Sequence, residues 1–167
     1  DSQDADGEII AEKPVNEDIT KERLIKEMES FLGDQYQTPP MFSAKKIGGV
    51  PLYKMARKGK TVEREPRFIR INELTLKSWT SPTGDFFMDC SKGTYVRTIV
   101  HDLGQRLDCG AHLKALRRTK IDQFDIANSL TLEEINEVPL GEFHNHLIRC
   151  NLSLKEPHLL FRQTPEF

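Results

Sequence analysis

Long apolar runs and paired cysteines are what this sequence of 167 residues lacks. No run approaches the roughly 18 consecutive apolar residues that a membrane-spanning helix needs, so we expect no membrane partner. Its three cysteines, Cys90, Cys109 and Cys150, are odd in number and far apart, which gives no disulfide framework. His144 and His146 lie near Cys150, but a further cysteine or acidic ligand is absent, and we predict no metal site. These absences favour a soluble protein of the reducing cytoplasm.

An excess of either charge is lacking, since the formal net charge is −2, but the charged residues are segregated along the chain. Residues 1–36 hold eleven acidic against four basic residues, whereas residues 45–70 hold nine basic against two acidic ones. Residues 92–120 are basic again, with seven basic against two acidic residues. Two basic blocks in a mildly acidic chain predict local contact with a polyanion, and an ordinary solvated surface is the alternative.

Hydrophobic periodicity predicts helices and strands in alternation. A helix is expected over residues 19–33, capped by Asp18 or Thr20 and stopped by Gly33. Residues 45–49 resemble a hairpin tip, after which Pro51 can open a short helix through residue 57. Residues 68–79 predict a strand with an irregularity near its middle, followed by a turn at 81–85 and a partner strand at 86–90.

The second half of the chain contains two further helix signals. Apolar residues recur at spacings of three and four from Val96 to Leu107, which predicts an amphipathic helix. Thr131 and Glu134 form a capping box that opens a short helix, with Leu132 and Ile135 expected to face inward. The chain is long enough for one domain with a real core.

The stretch that joins the 86–90 strand to the following helix carries the candidate chemistry. Residues 91–94, Ser-Lys-Gly-Thr, form a turn that leaves backbone N–H groups free near the helix start, which favours an anion site. Tyr95 offers an aromatic face with a hydroxyl, and Arg97 offers a two-pronged donor for a carboxylate or phosphate. Chemistry alone leaves two alternatives equally open, a core position for Tyr95 and a surface ion pair for Arg97. His101 and Asp102 are neighbours on one helix and point about 100° apart, so we exclude a joint role as base and orienting group.

Several blocks in one order resemble the TruB family of tRNA pseudouridine synthases. They are SKGTYVRTIVHDLG from residue 91, CGAHLKALRRT from 109, QTPPMFSA from 37, GGVPLY from 48 and ARKG from 56. The resemblance implies an α+β fold, part of the mixed, largely antiparallel sheet of a pseudouridine synthase catalytic domain with flanking helices. It places that part at residues 1–137, with a basic thumb insertion at about 37–67, and leaves 138–167 as an unassigned tail.

The resemblance also implies a function, the isomerisation of uridine to pseudouridine in the T arm (position 55) of tRNA. It assigns catalysis to Tyr95 and Arg97 and the substrate pocket to Leu116 and Tyr95. It implies no cofactor, no guide RNA and a monomeric full-length protein. The residues expected to bind RNA are basic or aromatic: Lys45, Lys46, Tyr53, Lys54, Arg57, Lys58, Lys60, Arg117 and Arg118. An ordinary basic hairpin loop is the alternative for the thumb.

The family's catalytic aspartate lies in a Gly-x-x-Asp-Pro type motif, and this motif does not occur in these 167 residues. The sequence contains no Asp-Pro pair at all. Asp1, Asp4 and Asp6 resemble a separate motif downstream of it, so none is assigned as the nucleophile. We therefore expect that the chain starts mid-domain and is inactive by itself. A non-catalytic RNA-binding or tRNA-folding module is the alternative, and guide-RNA-dependent relatives of the family are a third possibility that the long thumb argues against.

Overall fold

A two-stranded hairpin forms the centre of the structure, a computed structural model that describes residues 2–147. Strand β4 (Arg67–Thr80) pairs antiparallel with β5 (Thr83–Cys90), and the register shifts between Ile71 and Glu73 and again between Leu76 and Ser78. The hairpin and the irregularity after Ile71 are as predicted. The turn is shorter than the predicted 81–85, because pairing already begins at Thr80 and Thr83.

A third strand, which the sequence did not lead us to expect, completes this sheet. Strand β1 (Gly33–Gln37) pairs antiparallel with β4, so the strand order is β1-β4-β5. Gly33, predicted only to stop a helix, begins this strand with φ of 88°, a conformation that favours glycine. The strand has no apolar alternation, because Gln35 and Gln37 occupy its inward positions, and this is why the pattern did not reveal it.

Two amphipathic helices cover one face of the sheet. Helix α1 (Lys21–Glu29) is shorter than the predicted 19–33 and is capped by Thr20, whose Oγ1 accepts the Arg23 N–H at 3.3 Å. Helix α3 (Val96–Arg106) lies where it was predicted. Together with the sheet they form two buried clusters, listed here: Ile19, Leu24, Met28 and Leu107; Phe31, Ile69, Ile71 and Ile99. Burying each such side chain contributes about 1.5–3 kcal/mol, so this layer supplies the core that fixes the start of α3.

The predicted thumb is a small hairpin followed by one helical turn. Strands β2 (Lys46–Ile47) and β3 (Val50–Pro51) are joined by Gly48 and Gly49, whose φ values of 58° and 79° are those of a tight hairpin turn. Helix α2 (Leu52–Ala56) begins directly after Pro51, as predicted. Leu52 is fully buried and anchors the segment.

The chain divides into two compact units, residues 1–116 and residues from Arg117 onward. In the described part of the second unit, short strands β6 (Lys120–Ile121) and β7 (Phe124–Asp125) pair, and helix α4 (Leu132–Glu137) follows. Two 3-10 turns complete it, Ile126–Asn128 and Phe143–His146. The capping box of Thr131 and Glu134 is confirmed. The inward position predicted for Leu132 is wrong, since that side chain is 76% exposed.

None of the helices within residues 2–147 is long and apolar enough to cross a membrane.

Candidate active site and RNA-binding surface

The turn at residues 91–94 delivers the chain from β5 to α3 and is bound to the neighbouring strand. Ser91 donates its N–H to the Arg70 carbonyl at 2.8 Å, and its Oγ accepts the Arg70 N–H at 2.9 Å. Thr94 Oγ1 donates to the Ser91 carbonyl at 2.9 Å, and Gly93 takes a φ of 86° between them. The predicted strand–turn–helix is confirmed, and its use as an anion site stays a prediction.

Tyr95 is the residue at which α3 begins. Its backbone is extended, and its carbonyl accepts the N–H groups of Thr98 and Ile99 at 3.1 and 3.2 Å. On the other side, the buried side-chain amide of Gln37 donates to the same carbonyl at 3.1 Å and accepts the Tyr95 N–H at 2.8 Å. The Tyr95 side chain itself is half-buried. The position of this tyrosine is therefore set by strand β1 as well as by its own helix.

Arg97 lies in the first turn of α3, and three groups hold its side chain. Its guanidinium donates to the carbonyls of Phe42, at 2.8 Å, and Ser2, at 3.2 Å, and its Nε lies 3.7 Å from the Asp4 carboxylate. Arg97 therefore forms an ion pair, the alternative that chemistry alone left open, but a partly buried one, with 25% of the Arg97 side chain and 32% of the Asp4 side chain exposed. The two terminal nitrogens of the guanidinium thus bind backbone carbonyls, and its Nε side faces a carboxylate.

The N-terminal residues reach Arg97 because they are fixed against α3 and the segment that follows it. Thr98 Oγ1 donates to the Gln3 side chain at 3.0 Å. The Ala5 N–H donates to the Leu113 carbonyl at 3.0 Å, and the Leu113 N–H donates to the Gln3 carbonyl at 3.1 Å. A side chain at Gly104 would meet the Ala111 nitrogen at 2.2 Å, so glycine is what allows residues 109–113 to approach the helix so closely. Sequence reasoning missed the Arg97–Asp4 pair, since no local pattern links positions so far apart in the chain.

A polar cleft of about 360 Å³ lies beside Gln37. Its lining includes Gln3, Arg64, His101 and Asp102. Burial raises the pKa of the Asp102 carboxyl, and the positive charges of His101 and Arg106 oppose that rise. The cleft thus offers both donors and acceptors next to the Tyr95 backbone.

The predicted RNA-binding residues of the thumb present their charges to solvent. The exposed members are Lys46, Lys54, Arg57, Lys58 and Lys60, whereas Lys45 and Tyr53 are half-buried. The Arg57 guanidinium lies 5.5 Å from the centre of the Tyr53 ring, so a cation and an aromatic face share one spot. This arrangement suits phosphate contact and base stacking, and both roles stay predictions.

The remaining predicted residues are exposed. Leu116, the expected pocket wall, is 59% exposed at the end of the first unit, and its role stays a prediction. Arg117 and Arg118 are exposed in the second unit. Within residues 2–147 no group of three or more His, Cys, Asp or Glu side chains could hold a metal ion. Cys150, weighed as a ligand with His144 and His146, lies outside the described residues.

Comparison with known proteins gives matches over most of the chain. Residues 1–96 match the family described as TruB family pseudouridylate synthase (N terminal domain), and residues 97–149 match tRNA pseudouridylate synthase B C-terminal domain. The matched region extends past residue 137, the predicted end of the catalytic part, and that boundary stays a prediction.

Individual relatives agree with the family matches. The chain is 58% identical over 148 residues to tRNA pseudouridine synthase B of Opitutus terrae, covering 89% of this chain and 61% of the relative. It is 49% identical over 135 residues to the protein of that name in Pseudomonas aeruginosa, covering 81% of this chain and 44% of the relative. The chain therefore spans only about half the length of these relatives.

A solved structure shares the fold. A chain in the crystal structure of a Cbf5-Nop10-Gar1 complex superposes with a TM-score of 0.57 at 24% sequence identity, over 72% of this chain and 32% of that one. The two family matches define the class of this protein, the pseudouridine synthases, and the shared fold agrees with that class. Within that class, the chain belongs to the TruB family.

Proposed function

We propose that the protein containing this chain isomerises uridine to pseudouridine at position 55 in the T arm of tRNA. The observation that carries the proposal is Arg97, two residues after Tyr95. Its largely buried side chain is held by two carbonyls, and its Nε lies 3.7 Å from the Asp4 carboxylate. The family match supports the reaction class, and the names of the relatives support tRNA as the substrate.

The chemistry explains why these groups belong together. The bond between N1 of uracil and C1′ of the sugar breaks, the base turns, C5 bonds to C1′, the C5 proton leaves and N1 takes up a proton. A carboxylate acts as nucleophile or base, and a closed pocket retains the detached uracil. Arg97 keeps a neighbouring carboxylate ionised and oriented, Tyr95 stacks on the flipped base and assists proton transfer, and Leu116 walls the pocket.

The thumb and its neighbours supply the RNA contacts in this proposal. Residues 37–67 hold the exposed lysines and the Tyr53–Arg57 pair, which bind the phosphate backbone and stack on loop nucleotides. Flipping a base costs a few kcal/mol and is easiest in a loop, so a T-arm stem-loop is the fitting target. We further propose that the full-length protein works in the cytoplasm as a monomer, without a cofactor or a guide RNA.

The nucleophilic aspartate is proposed to lie outside these 167 residues, which contain no Asp-Pro pair. The isolated chain is then inactive, although it contributes Tyr95, Arg97 and the thumb. Asp4 helps to hold Arg97 and is not the nucleophile in this account.

The test is tritium release from 5-tritiated uridine placed in a T-arm hairpin, with an anticodon-arm hairpin of equal length as control. The full-length protein should release tritium from the T-arm hairpin only. Binding of the T-arm hairpin without any release would favour the non-catalytic RNA-binding or tRNA-folding module.

A further inference from the structure

Gln37 binds the backbone N–H and the backbone carbonyl of one distant residue, Tyr95, through the two polar ends of its buried side-chain amide. The side chain is 5% exposed, and its amide nitrogen and oxygen both bind the Tyr95 backbone, at 3.1 and 2.8 Å. This pairing copies the two hydrogen bonds of an antiparallel strand pair, with a side chain in place of one backbone. Fifty-eight positions separate the two residues, so the contact is tertiary and not a local turn.

The residue whose backbone Gln37 binds, Tyr95, begins the helix that carries the candidate site. Tyr95 is the N-terminal cap residue of α3, and no side chain caps the helix from that position. The carbonyl that Gln37 contacts also accepts the first N–H groups of the helix, so its orientation fixes the axis of the first turn. Arg97 lies in that turn, and the loop after Gln37 supplies the Phe42 carbonyl that Arg97 binds.

Strand β1 gives Gln37 a rigid base. Gln37 pairs with Arg67 on β4, and the buried Pro39 and Pro40 follow after the exposed Thr38. Two hydrogen bonds from such a base hold Tyr95 more firmly than the helix end alone, where backbone groups usually fray. A buried amide that lost its partners would also be costly, which favours one geometry over others.

We infer that Gln37 is a positioning residue that sets Tyr95 and Arg97 in register with the target uridine. The inference rests on the proposed function, since it assigns Gln37 to the same reaction. Gln37 acts only through the Tyr95 backbone and does not itself touch the reacting atoms.

The first experiment replaces Gln37 by methionine, which keeps the length and removes both hydrogen bonds. In the full-length protein, single-turnover release of tritium from the T-arm hairpin should fall about 10²-fold, as misplacement by an ångström does elsewhere. The Kd for the same hairpin should not change. The matched control is Gln35→Met, two residues earlier on the same strand, whose amide donates to the Phe31 carbonyl at 2.5 Å and not to Tyr95. Gln35→Met should leave the rate unchanged.

The second experiment uses pH as a signature. Gln37→Glu in its ionised form can accept the Tyr95 N–H but repels the Tyr95 carbonyl, whereas the protonated acid restores both hydrogen bonds. Burial raises the pKa of such a carboxyl, so the variant should recover activity as pH falls from about 8 to about 6. Nearby ionisable groups are Arg64, His101 and Asp102 in the same cleft and Arg67 on β4. Dividing the activity of the variant by that of the wild type at each pH cancels the effect of these groups, because both proteins contain them.

Three kinetic results would each overturn the inference. The first is a rate of tritium release in Gln37→Met that equals the wild-type rate. The second is a loss of rate in Gln35→Met as large as that in Gln37→Met. The third is a Gln37→Glu activity, relative to the wild type, that does not rise as the pH falls. Hydrogen exchange of the Tyr95 amide in the full-length protein tests the contact without catalysis. Protection of this amide should be lost in Gln37→Met and retained in Gln35→Met. An inactive wild-type protein would refute the proposed function, while unaltered Tyr95 protection in Gln37→Met would refute the positioning by Gln37.

Discussion

Replacing Arg97 by alanine should reduce stability and turnover without reducing the affinity for RNA. The substitution removes two hydrogen bonds to carbonyls, at 2.8 and 3.2 Å, and an ion pair with Asp4 at 3.7 Å. A hydrogen bond from a charged donor contributes about 1.5–3 kcal/mol, and a partly exposed ion pair contributes about 1 kcal/mol or less. Because a quarter of the side chain is exposed and water can enter, we expect a loss of about 3 kcal/mol in the free energy of unfolding.

The loss of turnover should be larger than this stability change explains. With a preorganised cation removed, kcat should fall by about 10²–10³-fold while the Kd for the T-arm hairpin stays near the wild-type value. Urea unfolding of the 167-residue chain measures the stability, and tritium release by full-length protein, at a temperature where both forms are folded, measures turnover.

Arg70→Ala is the matched control for this experiment. Arg70 also forms an ion pair, with Asp34 at 2.8 Å, but both side chains are more than half exposed on the open face of the sheet. Its loss should cost less than about 1 kcal/mol and leave turnover unchanged. A wild-type kcat in Arg97→Ala, or a loss of affinity equal to that of thumb variants, would refute the reasoning.

Three further predictions concern the thumb and the cleft. Lys45→Ala with Lys46→Ala should weaken hairpin binding and reduce the slope of log K against log salt by about 1.4–1.8 if each lysine contacts one phosphate, with kcat unchanged; an unaltered slope would place neither lysine on the RNA. Leu52→Ala, at a fully buried position, should cost about 2–5 kcal/mol in urea unfolding and weaken RNA binding; a change below about 1 kcal/mol would deny Leu52 its anchoring role. Because burial raises the folded-state pKa of Asp102, the folded chain holds this proton more tightly, and stability from this group falls as pH rises through that pKa. Asp102→Asn should thus be more stable than wild type at neutral pH, with the difference shrinking below about pH 4; a difference independent of pH in urea unfolding would contradict this.

The sequence predicted the elements whose periodicity is local and missed those fixed by distant contacts. Helix α3 and the β4–β5 hairpin were predicted because apolar residues repeat at helical or alternating spacing. Strand β1 was missed because its inward positions hold Gln35 and Gln37, which bind backbone groups instead of packing in the core. A buried glutamine gives no periodic signal.

The same distinction applies to the candidate site. Tyr95 and Arg97 were singled out from one short motif, and the structure places them together at the start of α3. Their partners Gln37 and Asp4 come from elsewhere in the chain, and only the fold brings them there. The exposure of Leu132 has a related cause, since none of the residues described in the second unit, 117–147, is buried, and this six-residue helix has no core to face among them.

The most direct test of the account is tritium release from the T-arm hairpin by the 167-residue chain alone and by the full-length protein. The account predicts release by the full-length protein, its loss in Arg97→Ala, and none by the chain alone. Release by the chain alone would place the nucleophilic carboxylate within these residues, with Asp4 beside Arg97 as the first to replace. That result would contradict the proposed division of the active site.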